Sequence, residues 1–196
     1  MSEPLNDAAL DQIFRNARTF NGYQDKPVSE EQLRAIWDLV KMGPTSANSL
    51  PMRIVWCVSD EAKQKLADCA GGTNPPKILA APVTAILAMD LRFHDHLPEL
   101  FPHTDAKSWF EGNDALIEKT AFRNSTLQGA YFIIAARALG LDTGPMSGFD
   151  NDAVDKAFFA GTSYKSNFIS TLGYGDASTI FDRSPRPEFE RFNRIV

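Results

Sequence analysis

Three short polar segments and one glycine-rich run carry groups that could hold a flat, anionic ligand. Arg18-Thr19-x-Asn21 places a guanidinium, a hydroxyl and a carboxamide within four residues. Such groups suit a phosphate and the polar edge of a ring. Arg183-Ser184-Pro185-Arg186 adds two cations on a proline-stiffened stretch. Pro44-Thr45-Ser46-Ala47-Asn48 is a polar turn. The run Gly140-Leu141-Asp142-Thr143-Gly144-Pro145-Met146-Ser147-Gly148-Phe149-Asp150 holds three glycines and a proline, so it reads as a stiff loop whose backbone N–H groups can approach a ligand closely. Singly, each segment has an ordinary reading: a helix end, a solvated tail, a turn. Together they point to one shared ligand.

Other chemistries find less support. Gly173-Tyr174-Gly175-Asp176-Ala177-Ser178 is the nearest approach to a dinucleotide-binding fingerprint, but it ends in serine and lies too near the C-terminus for a βαβ unit. No phosphate-binding loop of the nucleotide-hydrolase type is present. Asp90, His94, Asp95, His96 and His103 are suitable zinc donors by type, yet they read as a polar loop beside a pocket, and no metal is expected. Cys57 reads as core strand and Cys69 as a helix-face residue. Neither has the electropositive setting that makes a thiolate. There is no nucleophile elbow.

The elements that must position these groups can be read in order. Asp7 caps a first helix with Leu10, Ile13, Phe14 and Ala17 on one face. Ser29 opens a second through a capping box with Gln32, and Gly43-Pro44 stops it. Arg53 to Val58 is a strand. A polar helix then runs from Ser59 or Asp60 to Gly71-Gly72, and Pro82 to Met89 is a buried strand. Residues 90 to 113 are irregular, with all three histidines and several aromatics. Asn113 or Asp114 starts a long helix that ends at Leu139, with Gly140 as its stop. Asp150 caps another, and Phe168 to Tyr174 is a strand. The tail beyond Asp176 is polar, with Phe181, Phe189 and Phe192 as isolated anchors and no partner in its own sheet. So few strands do not make a doubly wound sheet. The pattern predicts one α+β domain over residues 1–196, a small central sheet covered by helices.

The 196 residues suffice for one sizeable core, and the 43% hydrophobic and 23% charged content is that of a soluble protein. The net charge of −5 gives a nucleic-acid role no electrostatic support. No apolar run is long enough to span a membrane, no signal segment is read at the N-terminus, and two unpaired cysteines suit a reduced cytoplasm.

Arg18-Thr19-x-Asn21, Gly43-Pro44-Thr45-Ser46-Ala47-Asn48, Asn74-x-x-Lys77, the Gly140–Asp150 run and the terminal arginine pair occur in the order seen in FMN-dependent nitroreductases, which the chain resembles from about residue 10 to residue 190. Within that family Leu100-Phe101-Pro102-His103-x-Asp105-Ala106, Thr120-Ala121-Phe122-Arg123-Asn124-Ser125 and Leu172-Gly173-Tyr174-Gly175-Asp176 resemble the RutE subgroup, described as malonic semialdehyde reductases of pyrimidine breakdown. The resemblance implies an FMN-dependent NAD(P)H oxidoreductase, a homodimer with FMN at the subunit boundary, and a C-terminal tail packed across it. It implies that Arg18 and Thr19 approach the phosphate and ribityl chain. Asn21 takes a place often held by a cation, which leaves Lys77, with Asn74, for the N1/O2 edge of the flavin. Pro44, Thr45, Ser46 and Asn48 come from the other subunit. Pro145, Met146, Ser147 and Gly148 line the ring, and Arg183 and Arg186 fall where the family's terminal phosphate contacts lie. No side chain is needed as a catalytic acid or base, since the cofactor carries the chemistry. Phe93, His94, His103, Trp109 and Phe110, in the irregular segment, are read as a lid that sets acceptor specificity. A general nitro or quinone reductase of the same fold, a flavin-binding protein without turnover and, third, a metal-dependent hydrolase are the alternatives.

Overall fold

The computed structural model describes residues 3–196, and its organising element is an antiparallel four-stranded sheet. The strands are β1 (Met52–Cys57), β2 (Val83–Asp90), β3 (Asp142–Met146) and β4 (Tyr164–Gly173), in spatial order β1-β2-β4-β3. All of β2 is buried, because helices cover both faces of the sheet. Val83, Ala85 and Leu87 turn to one side, Ile86 and Ala88 to the other, as a two-residue period requires.

The N-terminal chain forms α1 (Asp7–Leu10) and then a π-helical turn over Asp11–Arg15. The cap is Asn6, whose side chain accepts from the Ala9 amide, and not Asp7. Helix α2 (Glu30–Val40) begins with the expected Ser29–Gln32 capping box and buries Leu33, Ile36 and Val40. Those residues meet Phe132, Ala135 and Ala136 of α6 (Asp114–Ala138) on the first face of the sheet. The second face is covered by α3 (Asp60–Ala67), α4 (Asn74–Ala80) and α7 (Asn151–Phe158), which bury Leu66, Ile78 and Val154 against Ile86 and Ile169. Helix α4 was not expected. Its Asn-Pro-Pro start looks like a breaker, but proline costs nothing in the first helical turn, where its missing N–H has no partner to lose.

Segment 90–113 is better ordered than its composition predicts. Short 3₁₀ turns at Phe93–His96 and Lys107–Trp109 flank α5 (Leu97–Leu100). Phe93, Leu97, Ala106 and Phe110 form a separate small core against Ala121 of α6. The last short helix, α8 (Phe189–Phe192), lies in a tail whose residues 181–196 are all exposed. No helix of the described residues is long and apolar enough to cross a membrane.

Candidate functional site

The glycine-rich run is not a free loop. Gly140 stops α6 with φ +75°, a left-handed conformation glycine adopts without strain, and residues 142–146 then form β3. β3 is an edge strand of the sheet, with a full ladder to β4 alone, a position where Pro145 is tolerated. Gly144 serves close packing: a Cβ there would stand 2.4 Å from Thr171 Oγ1 and 2.7 Å from the Phe20 carbonyl.

That packing brings the N-terminal polar segment alongside. Thr19 bridges Thr143 in parallel, and the Phe20 amide donates to the Thr143 carbonyl at 3.2 Å. The tail crosses the same place. Arg183 Nη2 donates to the Arg15 and Ala17 carbonyls at 2.8 and 2.9 Å, Asn21 Nδ2 donates to the Thr179 carbonyl at 3.1 Å, and Arg18 donates to the Phe181 carbonyl. The two segments enclose a polar cavity of about 360 Å³ lined by Arg18, Thr19, Asn21, Arg183 and Arg186, together with Arg137 from the last turn of α6. Thus residues separated by over 160 positions meet at one cavity.

The cavity is electropositive. Four arginines line it against one acid, Asp182, and none of the four makes an ion pair among the described residues. Arg137 is the residue that the sequence did not single out. Its Nη1 donates to the Ile13 carbonyl at 3.0 Å, while its buried Nε has no partner. Burial pulls its pKa down, Asp142 acts the other way, and Arg183 adds like-charge repulsion. Burial also raises Asp142, against the Gly175 amide that donates to its Oδ2 at 2.9 Å.

At the far end of β3, some 10 Å from Thr143 by strand rise, Met146 leads into Ser147 and Gly148. The Gly148 carbonyl accepts from the Gly71 amide at 3.1 Å and from Asn74 Nδ2 at 3.0 Å. Asn74 and Gly148 share a second cavity, of about 730 Å³, with Cys69 and Gly71 to Thr73. Lys77 is half-buried on α4, three residues from Asn74, and lines neither cavity.

The turn Pro44–Asn48 lies elsewhere. The Ser46 amide donates to Asn124 Oδ1 at 2.8 Å, Asn48 Nδ2 to the Leu100 carbonyl at 2.8 Å, and the Leu50 amide to Thr45 Oγ1 at 3.1 Å. Thirteen residues of α6 separate Asn124 from Arg137, about 20 Å of helix. One protomer therefore does not bring this turn to the arginine cavity. Ala47, Asn48 and Leu50 all have positive φ (50°, 48° and 38°), so the turn holds a strained shape.

The aromatic segment divides. Phe93 and Phe110 are buried and pack edge to face at 4.9 Å, which makes them interior residues of the small core. His94 stacks on Phe110, with its buried Nδ1 unpartnered. Of the five residues read as a lid, His103 and Trp109 are exposed, both packed at T-shaped angles against Phe101. Asp90 is occupied by Arg53 at 2.7 Å, Ser163 Oγ at 2.6 Å and the Arg92 amide at 2.8 Å. No group of three or more metal-donor side chains occurs among the described residues.

Comparison with known proteins bears on the family and the fold. The sequence model described as the nitroreductase family matches residues 14–174. A Burkholderia lata protein provisionally named NADH dehydrogenase/NAD(P)H nitroreductase is 61% identical over 191 residues, covering 97% of this chain and 98% of that protein. A Bacillus subtilis nitroreductase superposes with a TM-score of 0.88 at 20% identity, covering 97% of this chain and 100% of the other. An Exiguobacterium sibiricum nitroreductase, solved in complex with FMN, gives 0.85 at 18% identity with both chains fully covered.

Proposed function

The chain belongs to the nitroreductase family, and from that premise we propose that it is an FMN-dependent NAD(P)H oxidoreductase. The observation that carries the reading is the arginine cavity: guanidinium groups without acidic partners, on segments tied together by backbone carbonyls, offer a phosphate the donors and charge it needs. The glycine contacts fit as well, since Gly144 lets the Phe20 backbone pack against β3 beside that cavity and Gly148 lets Asn74 approach the exit of the strand.

Arg18, Arg183 and Arg186 would hold the phosphate, with Thr19 and Asn21 beside it. Pro145, Met146, Ser147 and Gly148 would line the ring. Asn74, by fixing the Gly148 carbonyl, would orient that wall. Lys77 would place positive charge near the N1/O2 edge, where charge gathers on reduction. FMN, when bound, would supply the electron-carrying chemistry between NADH or NADPH and a second substrate. The chain binds, orients and tunes; none of its side chains is assigned a proton.

The functional unit is proposed to be a cytoplasmic homodimer. Pro44, Thr45, Ser46 and Asn48 lie too far from the arginine cavity of their own protomer and would reach that of the other. The tail exposes Phe189, Phe192 and Ile195, and β1 is a sheet edge beside a groove lined by Trp37 and Trp56, which would give the tail a seat on a second copy.

By resemblance to the RutE subgroup the acceptor is malonic semialdehyde, reduced to 3-hydroxypropionate in pyrimidine degradation. The name of the Burkholderia relative favours a second reading, a general nitro or quinone reductase. His103 and Trp109, the exposed two of the five residues read as a lid, would meet either acceptor. The absorbance spectrum of purified protein tests the cofactor, and stopped-flow mixing with NADH and NADPH tests turnover. Absence of flavin bands would sink the proposal; flavin that neither nucleotide bleaches would leave a binding protein. Comparing kcat/KM for malonic semialdehyde with that for nitroarenes and quinones separates the two enzyme readings.

A further inference from the structure

Arg137 has features that a helix-end arginine does not need. A cation in the last helical turn ordinarily faces that helix's own free carbonyls. Here Gln12 Nε2 does so, donating to the Arg137 carbonyl at 2.7 Å, while the Arg137 guanidinium turns outward to the Ile13 carbonyl. It is partly buried, makes no ion pair among the described residues, and has Arg183 as a like-charged neighbour. Asp142, the nearby acid, is engaged by the Gly175 amide. Partly burying an unpaired cation beside another is unfavourable unless an anion completes the set.

We infer that Arg137 is a phosphate-binding residue of the arginine cavity and makes the site select a phosphorylated flavin over its unphosphorylated parent. The inference rests on the FMN reading above. Arg18, Arg183 and Arg186 reach the cavity from the irregular N-terminal segment and the tail, whereas Arg137 stands on the end of the 25-residue α6. A donor on a rigid helix, in a partly dry setting, is pre-organised and weakly screened, so its charge discriminates strongly between a dianion and a neutral chain end.

Flavin-stripped full-length protein titrated with FMN and with riboflavin, followed by quenching of flavin fluorescence at fixed ionic strength, tests the inference. In Arg137→Gln the Kd for FMN should rise by about 30-fold, as loss of a charge-assisted contact implies, while that for riboflavin changes less than about threefold. Arg137→Lys keeps the charge but not the planar fork, so a rise of about fivefold for FMN alone is expected. Parallel loss of both flavins would show that Arg137 only props the Ile13 segment, and would overturn the inference. An unchanged FMN Kd would overturn it too. Should Arg137→Gln fail to fold, Arg137→Lys decides by the same comparison. Wild-type protein that binds neither flavin would overturn the FMN reading and this inference together, whereas wild-type binding with insensitive variants overturns this inference alone.

Discussion

The Asn74 side-chain amide donates to the Gly148 carbonyl at 3.0 Å, and a Cβ on Gly148 would sit 2.7 Å from that same nitrogen. The pair joins α4 to the exit of β3. The bond and the missing side chain are one device, because the amide can approach only where no Cβ stands. A double-mutant cycle is the natural test. Asn74→Ala should cost about 1 kcal/mol, since the bond is exposed and the Gly71 amide still holds the carbonyl. Gly148→Ala should cost about 1–3 kcal/mol by overpacking, and less when Asn74 is already alanine. Strictly additive values from denaturant unfolding would dissolve the proposed coupling.

Gly129 lies inside α6, where alanine would ordinarily gain about 1 kcal/mol of helix propensity. A Cβ there would meet the Phe168 ring of β4 at 2.5 Å. Gly129→Ala is therefore expected to destabilise by about 1–3 kcal/mol net, because a packed ring cannot swing aside as a flexible chain end can. A raised melting temperature would refute tight packing of α6 on the Phe168 ring.

Asp95 ties the two 3₁₀ turns of segment 90–113 together. Lys107 and Arg92 hydrogen-bond to its carboxylate and hold its pKa down at about 2. A depressed folded value contributes stability that is present above the unfolded pKa of about 4 and lost as pH falls toward 2. Asp95→Asn should thus be less stable than wild type at neutral pH, by no more than about 1 kcal/mol for so exposed a set, with the gap closing as pH falls through the folded value. Urea unfolding as a function of pH measures the difference; a gap that widened on acidification would contradict the sign.

Cys57 is fully buried on β1, and burial pushes its thiol pKa up to about 11. Cys69 is only partly buried. At pH 8 a thiol reagent should label Cys69 and spare Cys57, whose labelling would follow unfolding of the sheet. Mass spectrometry of Cys69→Ser reads Cys57 alone. Rapid labelling in the native protein would place it outside the core.

How far the sequence discloses this protein depends on whether a signal is local. The Ser29–Gln32 box, the Asp150 cap and the Gly140 stop are set by neighbours in sequence, and all three occur in the structure. Glycine and proline disguised β3, since an edge strand tolerates both while its composition reads as loop. Prolines hid α4 in the same way. Phe93 and Phe110 looked like lid residues because burial within an irregular segment leaves no period to read. Of the cavity arginines, Arg18, Arg183 and Arg186 stood in short polar motifs. Arg137 resembled any basic residue of a last helical turn, and only the three-dimensional approach of residues 15–21 and 181–186 reveals its setting.

The tail provides a test of assembly that leaves the arginine cavity intact. Phe189, Phe192 and Ile195 are 53%, 67% and 87% exposed, three large apolar side chains within seven residues. β1 offers an unpaired edge, and Trp37 and Trp56 line the groove beside it. If the tail of one copy seats on that edge of another, deleting residues 189–196 should shift the sedimenting species from dimer toward monomer, while Arg18, Arg137, Arg183 and Arg186 all remain. FMN retention should fall as well, because the Pro44–Asn48 turn reaches the cavity only from a second subunit in this arrangement. Phe189→Ser with Phe192→Ser should act in the same direction and more weakly, since main-chain pairing would survive. Sedimentation velocity on both variants, with flavin absorbance read in the same cell, follows assembly and cofactor together. A truncated protein that sedimented unchanged would take the tail out of the interface, and one that became monomeric with full flavin retention would take the Pro44–Asn48 turn out of the site.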